Sequence, residues 1–176
     1  MGVVFQRFIQ TIKLERDAFV WMDFNDRATG DGAILVAITQ ILLVLGTGTS
    51  IVSLIDPVTS ISVLVSGLFF WLLYTAATYV IVRYLLEGHG TFAMYLRITG
   101  FAFPSLLLLI FSSFLFEGSS FFPLVLIGGG AWFVLIVTRG ITYAADLTTP
   151  KALLGAVGGY IAVTILQAIL GSLRIF

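Results

Sequence analysis

Five stretches of this chain contain no Asp, Glu, Lys or Arg: 32–55, 57–82, 98–116, 118–138 and 152–173. They run 24, 26, 19, 21 and 22 residues. A helix needs about 20 mostly apolar residues to cross the hydrocarbon core of a bilayer, with a range of roughly 17–25. A transmembrane barrel would instead need segments of about ten residues with alternating polarity. Runs such as PSLLLLIF and ILLVLG do not alternate. The pattern predicts an all-α integral membrane protein with five transmembrane helices, at approximately 32–55, 60–84, 96–116, 121–139 and 151–173. Residues 1–31 precede this five-span bundle of 32–176 and are expected to hold an N-terminal amphipathic cytoplasmic helix and a turn.

Composition agrees. Hydrophobic residues make up 59% of the chain and charged residues 10%, against roughly 45–50% and 25% in a soluble domain. Mean hydropathy is +1.10. Nine basic and nine acidic residues cancel, so there is no basic excess of the kind nucleic-acid binders carry, and no nucleic-acid partner is expected. The absence of cysteine removes disulfides, thiolate metal sites and thiol nucleophiles.

The positions of the basic residues orient the spans. With the N-terminus in the cytoplasm, Arg7, Lys13, Arg16, Arg27, Arg83, Arg97, Arg139 and Lys151 share the cytoplasmic side, and only Arg174 lies opposite. This bias predicts N-terminus in and C-terminus out, because short basic segments stay cytoplasmic. Asp56 and Glu117 are the only charges in the two opposite-side loops. No signal peptide is expected, since charge interrupts residues 1–31 throughout. Met1-Gly2 is not followed by Ser or Thr at position six, where Gln6 stands, so myristoylation is not expected.

Within the N-terminal segment, Phe5, Phe8, Ile9, Ile12, Phe19 and Val20 follow helical spacing over 3–22. Trp21 suits the headgroup level. The helix is expected to lie on the cytoplasmic leaflet or dock a partner, or else to fold over the ends of the spans. The stretch DFNDRATGD, 23–31, reads as a turn with Asp26 or Thr29 as N-cap for the first span.

No motif for catalysis or cofactor binding stands out. Nucleotide loops, zincin and nucleophile-elbow motifs are all missing. No catalytic residue, metal site or cofactor is expected, and a lipid is the one candidate ligand. The single histidine, His89, sits between Gly88 and Gly90 and is expected to be solvated. A role as a tetrapyrrole ligand would require a buried helix position. Gln40 and Gln167 are the notable polar residues inside spans, expected to hydrogen-bond between helices rather than line a permeation path. Gly155 and Gly159 form a GxxxG pair, and Gly128, Gly129 and Gly130 form a triplet. Such small residues let helices approach closely, within the bundle or at an interface to another subunit. Pro104 is expected to kink the third span and free the carbonyl of Gly100.

The arrangement resembles the Ypt-interacting protein (Yip) domain family, over about residues 5–170. Three stretches carry the likeness: ERDAFVWMDFNDRATGDGAILVAI (15–38), GHGTFAMYLRITGFAFPSLLLLI (88–110) and AWFVLIVTRGITYAADLTTPKALLGAV (131–157). Tyr95, Arg97, Gly100 and Pro104 fit the pattern, as do Trp132, Arg139, Lys151 and Ala152. The resemblance implies a five-span membrane protein. Eukaryotic members bind Rab-type GTPases in vesicle traffic and carry an acidic-aromatic DLYGP motif in a long cytoplasmic tail. Asp23-Phe24 is the nearest pair here, so Rab-type GTPase binding is not carried over. The chain is closer to short prokaryotic members, which suggests a bacterial or archaeal cell membrane.

These readings favour a non-catalytic, Yip-like membrane protein that organises membrane or binds protein or lipid partners. An accessory subunit of a larger respiratory or photosynthetic complex is the alternative. A small-solute transporter or lipid translocator ranks third, because transporters usually carry ionisable groups within their spans. The expected partners are the bilayer and other membrane proteins, with Phe5, Phe8, Ile12, Phe19, Trp21, Gly155 and Gly159 as candidate interface residues.

Overall fold

The computed structural model describes residues 2–46, 55–109 and 122–172, with side chains for all of these except 122–126 and 170–172. Among the described residues every regular element is helical: α1 (Gly2–Ile12), α2 (Arg16–Phe24), α3 (Arg27–Gly46), α4 (Pro57–Val80), α5 (Phe92–Ala102), α6 (Phe122–Ala145) and α7 (Thr149–Ser172). A π-helical turn, Ile81–Leu85, extends α4, and a 3₁₀ turn, Phe103–Leu106, extends α5. Five stretches are long and apolar enough to cross a membrane: Arg27–Gly46, Pro57–Leu85, Phe92–Leu109, Ile127–Ala145 and Thr149–Ile169. The expected all-α, five-span architecture, preceded by helix at the N-terminus, is the one the chain adopts.

α5 is the central helix. Of its span 61% is buried, against 22–39% for the other four. It packs against α3, α4 and α6, and α7 closes the far side against α4 and α6. One end of the bundle gathers the α2–α3 corner, the π turn, the loop 86–91 and the α6–α7 connection. The ends of the first and third spans, Glu117, Ser119-Ser120 and Arg174 lie outside the described residues.

Several helix ends follow from local chemistry. Asp56 caps α4: its carboxylate accepts from the Thr59 backbone N–H at 2.9 Å and the Thr59 hydroxyl at 2.8 Å. Pro57 occupies the first turn, where its missing N–H has no helical partner to lose. The bonds from Thr59 hold the Asp56 carboxyl below its ordinary value. A lowered value means that the cap contributes fully above the unfolded-state value and is lost as pH falls through the folded one. Thr91 caps α5 by accepting from Met94 N–H at 3.3 Å. At Pro104 the third span changes from α-helix to a 3₁₀ turn. Because the proline cannot donate to Gly100, the chain tightens into this turn, whose last bond runs from Leu107 N–H to the Pro104 carbonyl.

Other boundaries differ from the expectation. The stretch 23–31 is not a turn: only Asn25 and Asp26 separate α2 from α3, and Thr29 is already helical. The third span opens at Phe92, so Arg97 lies inside the helix. α6 continues past Arg139 to Ala145.

In lipid, helices associate through close packing and a few interhelical hydrogen bonds. α3 and α5 meet backbone to backbone: a Cβ added at Gly100 would lie 2.9 Å from Gly32 Cα. α4 and α5 share a buried polar chain. Trp71 Nε1–H donates to Thr99 Oγ1 at 2.9 Å, and Thr99 and Thr75 hydroxyls lie 2.7 Å apart. The Tyr74 hydroxyl donates to the Ala156 carbonyl at 3.2 Å, joining α4 to α7. The Gln40 side chain occupies the space over Gly67, where an added Cβ would fall 2.5 Å from its Cγ. Gln167 is exposed on α7. The two glutamines sit on different helices and face different ways, which gives no support to a shared permeation path.

These contacts predict a contrast between two glycines. Gly100→Val forces a branched side chain against the Gly32 backbone and should destabilise by about 1–3 kcal/mol. Gly130→Ala adds a Cβ with nothing within 4 Å and should be neutral or stabilising by up to about 1 kcal/mol, since Ala favours helix over Gly. Thermal unfolding of the detergent-solubilised protein measures both; equal effects would contradict the close contact.

Candidate functional site

Among the described residues, the N-terminal end of the bundle holds the densest polar network. It begins with a break that the apolar spacing of 3–22 does not announce. α1 ends at Ile12, and Leu14 takes a left-handed conformation, φ 60°. Glu15 N–H donates to the Gln10 carbonyl at 2.9 Å, and Leu14 N–H to the Thr11 carbonyl at 3.0 Å. That pair of bonds is the Schellman helix stop, normally built on Gly. A side chain in this conformation costs roughly 1–2 kcal/mol. Leu14 is partly buried and packs against the hydrophobic core, which offsets the strain. The single helix expected over 3–22 is therefore corrected to two, α1 and α2.

The break sends the two halves into different surroundings. α2 is a cap: Ala18, Phe19 and Met22 are fully buried. Phe19 stacks on Tyr143 of α6 with centroids 5.7 Å apart, and Trp21 meets Phe101 of α5 edge-on at 6.0 Å. Arg16 and Arg139 both sit over the Tyr143 ring, at 5.8 and 5.2 Å, and Arg7 lies 5.6 Å over Trp21. Of the candidate interface residues, then, Phe19 belongs to the core rather than to an outer surface. Phe8, Ile12 and Trp21 are partly buried against that core. Phe5 alone of the aromatic set on α1 is largely exposed, at 63%, and Val3 and Ile9 are also exposed. α1 thus turns one flank to the bundle and leaves an apolar flank uncovered.

Arg97 ties cap to bundle. Its side chain is 7% exposed, and its guanidinium bonds to four acceptors. Nη1 donates to the carbonyls of Met22 at 2.8 Å and Asp23 at 3.2 Å. Nε donates to Thr29 Oγ1 at 3.0 Å, and Nη2 to Asp26 Oδ1 at 2.6 Å. The two carbonyls belong to the last turn of α2, where helical acceptors have no partner and the helix dipole is negative. Asp26, which directly precedes α3 at its N-cap position, and Thr29, already inside the helix, direct side-chain oxygens to Arg97. The planar fork of Arg reaches all four acceptors at once; a Lys ammonium has no such spread. The apolar setting of Arg97 in AMYLRITGFAFP, with no acid nearby, is the one sequence sign of this role.

The loop 86–91 completes the end. His89 N–H donates to the Ala145 carbonyl at 3.2 Å, and the Tyr95 hydroxyl donates to the His89 carbonyl at 3.1 Å. Gly90, at φ 102°, lets the chain pass the Ala144 carbonyl. The loop is held by its backbone while His89 as a residue remains exposed. Among the described residues no three His, Asp or Glu side chains cluster as metal ligands would.

Gly155 and Gly159 are buried within the chain. A Cβ at Gly155 would collide with Val82, and one at Gly159 with Thr78. The GxxxG pair therefore seats α7 on α4 and the π turn, and this face is not open to another subunit.

The Arg97 geometry predicts unequal effects. Arg97→Met strands the Met22 and Asp23 carbonyls and should lower stability by about 1–3 kcal/mol. It should also speed tryptic cleavage at Lys13, Arg16 and Arg27 as the cap loosens. Asp26 is fully solvent-exposed despite its short contact, so Asp26→Asn should lower stability far less than Arg97→Met does. Thermal unfolding and timed proteolysis of both variants check this ordering.

Comparison with known proteins gives one positive result. No curated protein and no solved structure matches the chain. The model of the Yip1 domain matches residues 11–171. That interval takes in α2, the Arg97 anchor and all five spans, and the chain belongs to the Yip1 domain family of membrane proteins.

Proposed function

We infer that this Yip1-domain protein is a non-catalytic membrane organiser whose N-terminal end faces the cytoplasm and seats α1 in the inner leaflet. The observation that carries this reading is the uncovered apolar flank of α1. Phe5 and Ile9 are exposed, while Gln6 and Gln10 occupy other faces of the same short helix. An amphipathic helix of this kind buries its apolar face at the boundary of headgroups and acyl chains. The Arg97 anchor and the aromatic packing of α2 give α1 a rigid base, so its insertion would add cross-section to one leaflet at a defined place beside the spans. The described residues bring together only one ion pair, Arg97 with Asp26, and its arginine is committed to structural bonds. Support for the orientation comes from the eight basic residues assigned to the N-terminal side.

The lack of cysteine makes single-cysteine labelling direct. An environment-sensitive dye on Ile9→Cys should shift to the blue when the protein is reconstituted into vesicles, and the same dye on Gln6→Cys should keep a water-like spectrum. Gln6→Cys in intact cells should resist a membrane-impermeant thiol reagent. Two water-like spectra would end the leaflet reading, and labelling from outside the cell would reverse the topology. Stable co-migration of the native protein with a much larger assembly in mild detergent would favour an accessory subunit instead.

A further inference from the structure

Between α1 and α3 lies a groove of about 610 Å³, within the roughly 300–1,000 Å³ typical of ligand sites. One wall is the start of α1, with Val4, Phe5 and Phe8; the other is α3, with Ile34, Leu35 and Ile38. Asp31 is the only charged residue in its lining. We propose that this groove binds a membrane phospholipid with an ammonium-bearing headgroup, of the phosphatidylethanolamine class. The acyl chain would lie against the aliphatic wall and the ammonium against Asp31. The proposal rests on the reading of α1 as a leaflet-seated helix and names the lipid that the helix helps to hold.

Three observations converge on that occupant. First, the α3 wall is continuous with the outer surface of a span. Ile34, Ile38 and Leu42 are exposed in one stripe, so the groove opens where acyl chains already lie. Second, the charge sits at one end. Asp31 is in the second turn of α3, and Ile38 lies about 10 Å further along at 1.5 Å per residue. A polar head at one end and an apolar body along the rest is the shape of a lipid. Third, Asp31 is half-buried, and no ion pair or hydrogen bond engages its carboxylate among the described residues. Arg7, the nearest arginine along α1, is turned elsewhere, bonding to Gln10 and lying over Trp21. A carboxylate that Arg27, one turn earlier on α3, does not pair disfavours a headgroup of net negative charge and attracts an ammonium. A primary ammonium also supplies N–H donors to the carboxylate oxygens, as a lysine does.

The test is lipid retention by native mass spectrometry. The intact protein is purified from vesicles of equal parts palmitoyl-oleoyl phosphatidylethanolamine and the matching phosphatidylglycerol. Wild type should retain the ethanolamine lipid by roughly fivefold over the glycerol lipid, the scale of one partly exposed ion pair. Asp31→Asn should bring the ratio close to one. Ile34→Trp should lower bound lipid of both kinds, while Ile161→Trp, on the exposed face of α7, should leave it unchanged. Equal retention by wild type, or a preference that survives Asp31→Asn, overturns the proposal. So does a dimer mass abolished by Ile34→Trp, which would make the occupant a second copy of the chain. Failure of the leaflet reading is separable, because it appears in the Ile9→Cys spectrum, at a residue outside the groove lining, and not in the lipid ratio.

Discussion

A buried guanidinium governs how this molecule is put together. Arg97 stands on the central helix, shielded from solvent, and each of its bonds reaches residues about 70 positions earlier in the chain. Removing such a cation from water is expensive unless its donors are satisfied, and here the unpaired end of α2 satisfies them. The cation needs the helix end and the helix end needs the cation. Those bonds tie the end of α2 and the start of α3 to the central helix.

The same logic separates the features that could be read in the sequence from those that could not. The five spans were legible because lipid excludes charge over a full crossing, a constraint that acts on every residue of a run. The Asp56-Pro57 start of α4 was legible because capping is local chemistry. Leu14 was not, since no Gly or Pro marks the break and only tertiary packing makes a left-handed Leu tolerable. Arg97 read as the edge of a span because sparse charge usually marks interfaces; two of its acceptors are backbone carbonyls, which leave no trace in sequence. The Gly32–Gly100 contact has no spacing signature either, being one small residue on each of two helices. The GxxxG pair on α7 announced a close approach but not its direction, which the structure assigns to Thr78 and Val82.

The two ends of α1 express two kinds of constraint. Towards Thr11 and Ile12 the helix is committed to the core, and towards Gly2 only Val4 packs on it while Val3 and Phe5 stay exposed. Aromatic packing makes the cap stiff: Phe19 on Tyr143 and Trp21 on Phe101 are both flanked by arginines or by α5. The α1 flank, the α2 cap and the Arg97 anchor thus adjoin one another at one end of the bundle.

The π turn at Ile81–Leu85 has an evolutionary meaning. Such a turn amounts to one residue inserted into an α-helix, and it is placed at the end of the second span, where the loop 86–91 begins. Loss of one residue from 81–85 would relax the turn into ordinary helix, and the adjustment would fall on Val82 and the short loop beyond it. Loss of one residue from the middle of α5 would turn Arg97 away from its acceptors. Among related chains, length variation within a membrane helix should therefore be found at the end of the second span, and the third should hold its length.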